Sequence, residues 1–236
     1  MIVRRLYIIL LLLINIAYAG RPLKSDDAFT LGSNSFQFEF ASEISYGDNS
    51  SSLFFPFTST YGISNQTDIV FNLTFFSSAN TYTLSSLNCI DLSFKQNLFA
   101  TDNFLFSIKS GFSSSIENGS TTSPLASFFL ISSTKLNFVD VHLSLGYIQN
   151  SSDEENNDLW SASLACELPL SDLLTLASEV GVSRNASIYC KVPESYSLIG
   201  IAFNLTDNFV LDAGVNVSYQ HSIKIDLFTS GLTLSL

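Results

Sequence analysis

The chain reads Phe209-Val210-Leu211-Asp212-Ala213-Gly214-Val215-Asn216-Val217 near its end and Phe36-Gln37-Phe38-Glu39-Phe40 near its beginning. Apolar residues alternate with small or polar ones in both stretches. Successive side chains of a strand point to opposite faces, so each stretch has one greasy face and one wet face. The same unit recurs from residue 34 to the C-terminus: an alternating run of about ten residues, a short polar turn, and another run. About ten residues is also the length of a tilted strand that crosses a bilayer.

Twelve such runs can be marked, the first near 34–46 and the last near 224–236. The connections alternate in character. Ser64-Asn65-Gln66, Gln96-Asn97 with its neighbours, Leu136-Asn137, Ser171-Asp172 and Thr206-Asp207 read as tight polar turns. Ile116 to Ser123, Asn150 to Asp158 and Arg184 to Ser195 read as longer loops. Asn, Asp and Ser suit the turns because their side chains bond to nearby backbone and tolerate unusual dihedrals. Minimal turns at one end and long loops at the other are the asymmetry of a transmembrane β-barrel. The fold class expected is therefore all-β, an antiparallel transmembrane barrel of about twelve strands over residues 34–236. A soluble β-sandwich also alternates, but nothing in its build keeps every second loop minimal.

The first 19 residues read as a cleavable signal peptide. Arg4 and Arg5 precede the uncharged apolar run Leu6 to Ile16, and Ala17-Tyr18-Ala19 is a small-x-small cleavage site. Residues 20–33 then form a segment on the periplasmic side. Export and the barrel pattern together imply the outer membrane of a Gram-negative bacterium. Without Arg4 and Arg5 the chain keeps eight Lys+Arg against 21 Asp+Glu. Such an acidic balance excludes a nucleic-acid binder, whose phosphate partners demand a basic surface. Charged residues make up 13% of the chain, well below the roughly 25% of soluble domains, as a lipid-facing surface requires.

Assigning faces puts Phe36, Phe38, Phe40, Ile44 and Tyr46 outward, followed by Phe55, Phe57 and Tyr61, then Ile69, Phe71, Leu73 and Phe75. Val139, Val141, Leu143, Leu145 and Tyr147 follow, then Trp160, Leu164 and Leu168. Aromatics near strand ends, among them Phe94, Trp160, Phe209 and Tyr219, suggest interfacial girdles. The opposite parity gathers the charge: Glu39, Glu43, Asp91, Lys95, Lys109, Asp140, His142, Glu167, Glu179, Asp212 and Asp226, with Lys135 and Lys224. These are the candidate lumen residues. They read either as a mildly acidic channel wall or as a web of ion pairs bracing a closed barrel. Two places strain the pattern. Phe128-Phe129-Leu130-Ile131 is apolar on both faces, and the last strand switches parity, which a bulge near Ser230-Gly231 would explain.

Catalytic motifs are absent from the sequence. His142 and His221 are the only histidines, and Ser144 shares the parity of His142 without a third group to orient it. Cys89, Cys166 and Cys190 follow no metal or redox spacing. No cofactor, metal or catalytic residue is expected. The acidic run Ser151 to Asp158 reads as a solvated loop tip.

The stretch Ser25-Asp26-Asp27-Ala28, with Gly32 and Glu39, resembles the opening of bacterial transporter-like outer-membrane proteins. This family is named after the MetA pathway of phenol degradation. Tyr61-Gly62-Ile63 with Asp68 is similar to its second hairpin, and Leu211-Asp212-Ala213-Gly214 to its closing strands. The resemblance implies an outer-membrane barrel with a transport role, hydrophobic or aromatic compounds among its solutes. The chain as a whole reads as a monomer surrounded by lipid that passes or binds small solutes. The alternative is a closed structural barrel whose acidic outer loops make surface contacts. The Asp26-Asp27 stretch should cap or plug one mouth of the barrel through hydrogen bonds to turn backbones.

Overall fold

The computed structural model describes residues 23–46, 51–78, 86–117, 120–121, 124–151, 155–190, 192–219 and 223–236. The leader reading of residues 1–19 and the histidine His221 lie outside these residues. Twelve long strands follow one another: β1 Phe36–Tyr46, β2 Ser51–Ser64, β3 Thr67–Ser78, β4 Ser86–Ala100, β5 Phe104–Glu117 and β6 Leu125–Leu136. The second half is β7 Val139–Asn150, β8 Asp158–Ser171, β9 Leu174–Ser183, β10 Glu194–Thr206, β11 Phe209–Tyr219 and β12 Ile223–Ser235. Each pairs antiparallel with its sequence neighbours, and β1 pairs with β12. The ring is thereby closed. At the seam Phe36 and Leu236 exchange both backbone hydrogen bonds, at 2.9 and 2.7 Å. A pair of adjacent residues in the β5–β6 loop, Ser120 and Thr121, folds back onto the end of β5.

Closure satisfies the backbone inside the sheet, so the outer surface can be apolar. Phe40, Leu92, Phe112, Leu145, Leu164, Val180 and Ile199 are all exposed on the outside. Aromatics collect near both rims. Phe99, Phe104 and Phe138 flank short turns, while Tyr147 pairs with Trp160 and Tyr219 ends β11 toward the long loops. The wet parity faces inward and is buried there: Gln37, Thr60, Ser93, Lys95, Ser107, Ser133, His142 and Glu179.

Three expectations change. Gln96-Asn97 is not a turn. β4 runs on to Ala100, Gln96 pairs with Ile108, and the reversal falls at Thr101 to Asn103. Asn97 stays in the sheet with its side chain turned inward, 5% exposed, and donating to the Ala28 carbonyl. Phe94, expected near a strand end, consequently lies well inside β4. The register shift of the last strand sits opposite Asn216–Val217, between Ile225 and Leu227, and not at Ser230-Gly231. Gly231 is constrained differently, since a Cβ there would come within 2.6 Å of an Asp212 carboxylate oxygen.

The double-apolar stretch of β6 splits across the wall. Phe128 is exposed outside, whereas Ile131 is 1% exposed inside, in the same inward parity as Phe129. Phe129 lies flat over Gly146 of the next strand, where a Cβ would meet its ring at 2.4 Å.

Lipid-facing Leu145 tests the sidedness. Leu145→Arg is expected to destabilise the barrel by about 2–4 kcal/mol if it sits near the bilayer midplane. Equilibrium unfolding from lipid vesicles in guanidinium measures the loss.

Candidate functional site

The interior is occupied by the chain's own N-terminal segment. Residues 24–31 run up inside the barrel from the short-turn end, and the backbone geometry shows how they enter. Gly32 adopts φ +90°, a left-handed conformation open to glycine, and its carbonyl presses on Gly62, where any Cβ would collide with it. Asn34, at φ 63°, completes the reversal into β1. Ser33 N–H donates to the Asn65 side chain and Thr30 Oγ1 donates to the Asn65 carbonyl, so the turn between β2 and β3 holds the mouth.

Higher up, the lumen side chains take over. Leu31 N–H meets both carboxylate oxygens of Asp68, at 3.3 and 3.1 Å. Ala28 is fully enclosed. Its carbonyl accepts from Ser107 Oγ at 2.6 Å, and its N–H donates to Ser133 Oγ at 2.8 Å. Ser133 in turn lies 2.8 Å from His142 Nδ1. Lys95 donates to Asp26 at 2.9 Å and to Asp27 at 3.2 Å, and Lys109 donates to the other oxygen of Asp26 at 2.9 Å. Lys24 and Ser25 N–H groups both donate to Glu179 Oε2. Glu179 Oε1 accepts from Tyr196 Oη, and the Lys24 ammonium lies 4.4 Å above the Tyr196 ring. Charge-assisted bonds of this kind are worth about 1.5–3 kcal/mol each where water is excluded.

The sequence-derived candidates divide into groups. Lys95, Lys109, Glu179 and His142 surround the segment and, except for His142, bond to it. Glu39 and Glu43 border a cavity of about 440 Å³ left between the segment and the wall, together with Thr58, Thr60 and Asn72. Asp91 accepts from Asn72 at 2.8 Å. Asp140 and Glu167 are direct cross-strand neighbours on β7 and β8. Asp212 is 5% exposed and lies against Gly231. The side chain of Asp226 lies outside the described ones, as do those of Lys224 and Tyr46. Ser25, Asp26, Asp27, Ala28 and Gly32 all belong to the inserted segment or its hinge.

Residues with no charge escaped the sequence reading: Asn97, Ser107, Ser133 and Tyr196. Their inward parity was the available signal. The serine that meets His142 is Ser133 across β6–β7, not Ser144. It is 1% exposed and its hydroxyl holds Ala28, which leaves no access for a substrate. The three cysteines are free, and no cluster of metal-binding side chains exists among the described residues.

An outer membrane channel from Pseudomonas putida F1 superposes with a TM-score of 0.68, covering 90% of this chain and 98% of its own, at 11% identity. This chain has the fold of an outer-membrane channel. The KdgM porin matches with a TM-score of 0.60 at 9% identity, over 85% of this chain and 99% of that one. The NanC porin matches at 0.61 and 8% identity, over 84% and 98%. No family model and no curated protein matches the sequence.

Asp26 lies outside the strands. Burial raises its pKa, but the ammonium groups of Lys109 and Lys95 outweigh burial and hold the carboxyl well below its ordinary value of 3.8. A depressed folded value means the contribution is complete above the ordinary value and fades only as pH falls below it. The Asp26 share of closure, read as the difference between the unaltered chain and Asp26→Asn, is therefore expected to be constant above about pH 5 and to fade only in stronger acid. Current through reconstituted barrels against pH reads this directly.

Tyr196 owes its position to Gly181, where a Cβ would meet the ring at 2.4 Å. Gly181→Ala should lift the ring, loosen its bond to Glu179 and cost about 1–3 kcal/mol in folding equilibria.

Proposed function

We propose that this protein is an outer-membrane channel for small solutes, exported to the outer membrane and acting there as a monomer. The observation that carries the reading is a wet interior inside a lipid-facing cylinder. A cavity of about 440 Å³ remains beside the inserted segment, lined by carboxylates, hydroxyls and amides together with Lys24, Lys95, Lys109 and apolar side chains such as Val70 and Leu198. A barrel of eight strands is filled by its own side chains and one of about 16–18 leaves an open channel, and twelve strands lie between. Here the room left by the side chains is taken up by residues 24–31 and the cavity, so the lumen is spacious by construction and closed by a removable piece. The fold shared with outer-membrane channels supports the same reading. The resemblance of Ser25-Asp26-Asp27-Ala28 to the transporter-like family favours hydrophobic or aromatic compounds among the solutes. The candidate lumen residues Glu39, Glu43, Asp91, Asp140 and Glu167 would then set an acidic wall along the path.

A closed barrel with a surface role is the second reading, and one observation favours it. The outer loops are stitched together: Arg184 bonds to Asp158 and Asn156, and Asn156 donates to the Asn185 and Ser187 carbonyls.

Planar-bilayer recording separates the two. The processed chain should give small discrete current steps, and removal of residues 23–31 should enlarge them several-fold. A barrel that folds, shifts on a heat-modifiability gel and carries no current in either form would reject the channel.

A further inference from the structure

The wall sets two inward lysines side by side, with Asp68 across from one of them, at the height where the inserted segment brings its carboxylates. Lys95 and Lys109 are direct cross-strand neighbours on β4 and β5, both pointing inward. Like charges placed opposite each other on a sheet repel. With the segment in place both side chains are largely covered, 7% and 21% exposed. The Asp26 carboxylate bridges them, one oxygen to each ammonium. Around this point the barrel also supplies what an extended backbone needs. Glu179 accepts two successive N–H groups, Asp68 accepts another, and Ser133 and Ser107 serve the N–H and C=O of Ala28. Ala28 itself is fully enclosed, so the position admits nothing larger than a methyl group. These contacts come from β3, β4, β5, β6 and β9. No single neighbouring strand provides them, and none is a generic backbone ladder. Side chains that converge on the amides of an extended chain, with a charge pair at one position and a size limit two residues later, form the layout of a peptide-recognition site.

We propose that the lumen is a binding site for an extended acidic peptide, at present filled by the chain's own residues 24–31, with the Lys95–Lys109 pair reading the carboxylate. Separated from the barrel, such a peptide binds in trans. Binding requires a carboxylate at the Asp26 position and a small residue at the Ala28 position. The site therefore recognises acidic peptide segments when its tethered occupant withdraws.

The test uses the barrel lacking residues 23–31, in detergent, with a fluorescent peptide of the sequence Leu23 to Leu31. Anisotropy should report saturable binding. Asp26→Asn in the peptide should weaken it about tenfold or more, the loss of a charge-assisted bond. Lys109→Met in the barrel should weaken the normal peptide similarly and leave the Asp26→Asn peptide almost unaffected. Absence of saturable binding to a folded deletion barrel overturns the proposal, as does binding indifferent to both substitutions. If the deletion barrel does not fold, the full chain carrying Asp26→Asn serves instead. Its Ala28 amide should exchange with solvent at least tenfold faster than in the unaltered chain, and unchanged protection overturns the proposal. Binding is read without any current, so its failure and the failure of the channel reading are separate results.

Discussion

Everything in this molecule follows from the obligation to pair every backbone N–H and C=O once water is absent. Twelve strands meet that obligation only by closing, and the last link is the exchange between Phe36 and Leu236 at the β1–β12 seam. Closure fixes two faces. The outer one is free to carry Phe40, Leu145 and Ile199 into lipid, because no polar backbone remains to be solvated there. The inner one has to take all the polar side chains that the outer face cannot hold. A closed ring of this girth then has an interior larger than its inward side chains fill, and that surplus volume is what the N-terminal segment occupies.

The segment solves a problem that the wall creates. The wall places Lys95 opposite Lys109 and turns Glu179 and Asp68 inward, and each keeps bonding capacity beyond its wall partner, Tyr196 for Glu179 and Lys95 for Asp68. One extended peptide meets all four, with its carboxylates and its backbone amides. Buried charges usually cost more to desolvate than they return. In this lumen they are satisfied by a partner that is covalently attached but not woven into the sheet. The interior therefore resembles a bound complex more than a packed core. Its buried apolar members include the alanines Ala28, Ala165 and Ala177.

Much of this was legible in the sequence because a period of two is a strong signal when one face is lipid. The alternation gave the twelve strands, and the parity rule placed Lys95, Lys109, Glu179 and His142 on the inside together. What the sequence concealed depended on contacts far apart in the chain. Gln96-Asn97 has every local mark of a turn, yet Asn97 pairs with Ser107, donates its N–H to the Gln66 carbonyl at 2.8 Å and reaches Ala28, 69 residues away, with its side chain. Ser107 and Ser133 are two serines among many, and only the inserted backbone distinguishes them. The register shift beyond Ile225 answers to the partner strand at Asn216–Val217 and leaves no mark in composition. Gly32 could be singled out only through a resemblance. Its physical reason, a left-handed turn pressed against Gly62, needs both residues in space.

A tether changes what strength the segment's contacts must have. A plug joined to β1 by Gly32 to Ser35 meets its site at an effective concentration in the millimolar range or above. Modest intrinsic affinity is then enough to keep the lumen filled nearly all the time. For the proposed channel this would be a useful regime, because a population shift of a few kcal/mol would open what a tighter plug would lock. The distribution of contacts fits that regime. They are many, individually ordinary, and spread over five strands and a turn, so the segment can leave piecewise from its Lys24 end while Asn65 still holds its base. A single dominant bond would make release all-or-none. The ladder of bonds from Glu179 through the lysines to Asp68 makes it graded, and the charge pair in the middle decides where on that ladder the segment stops.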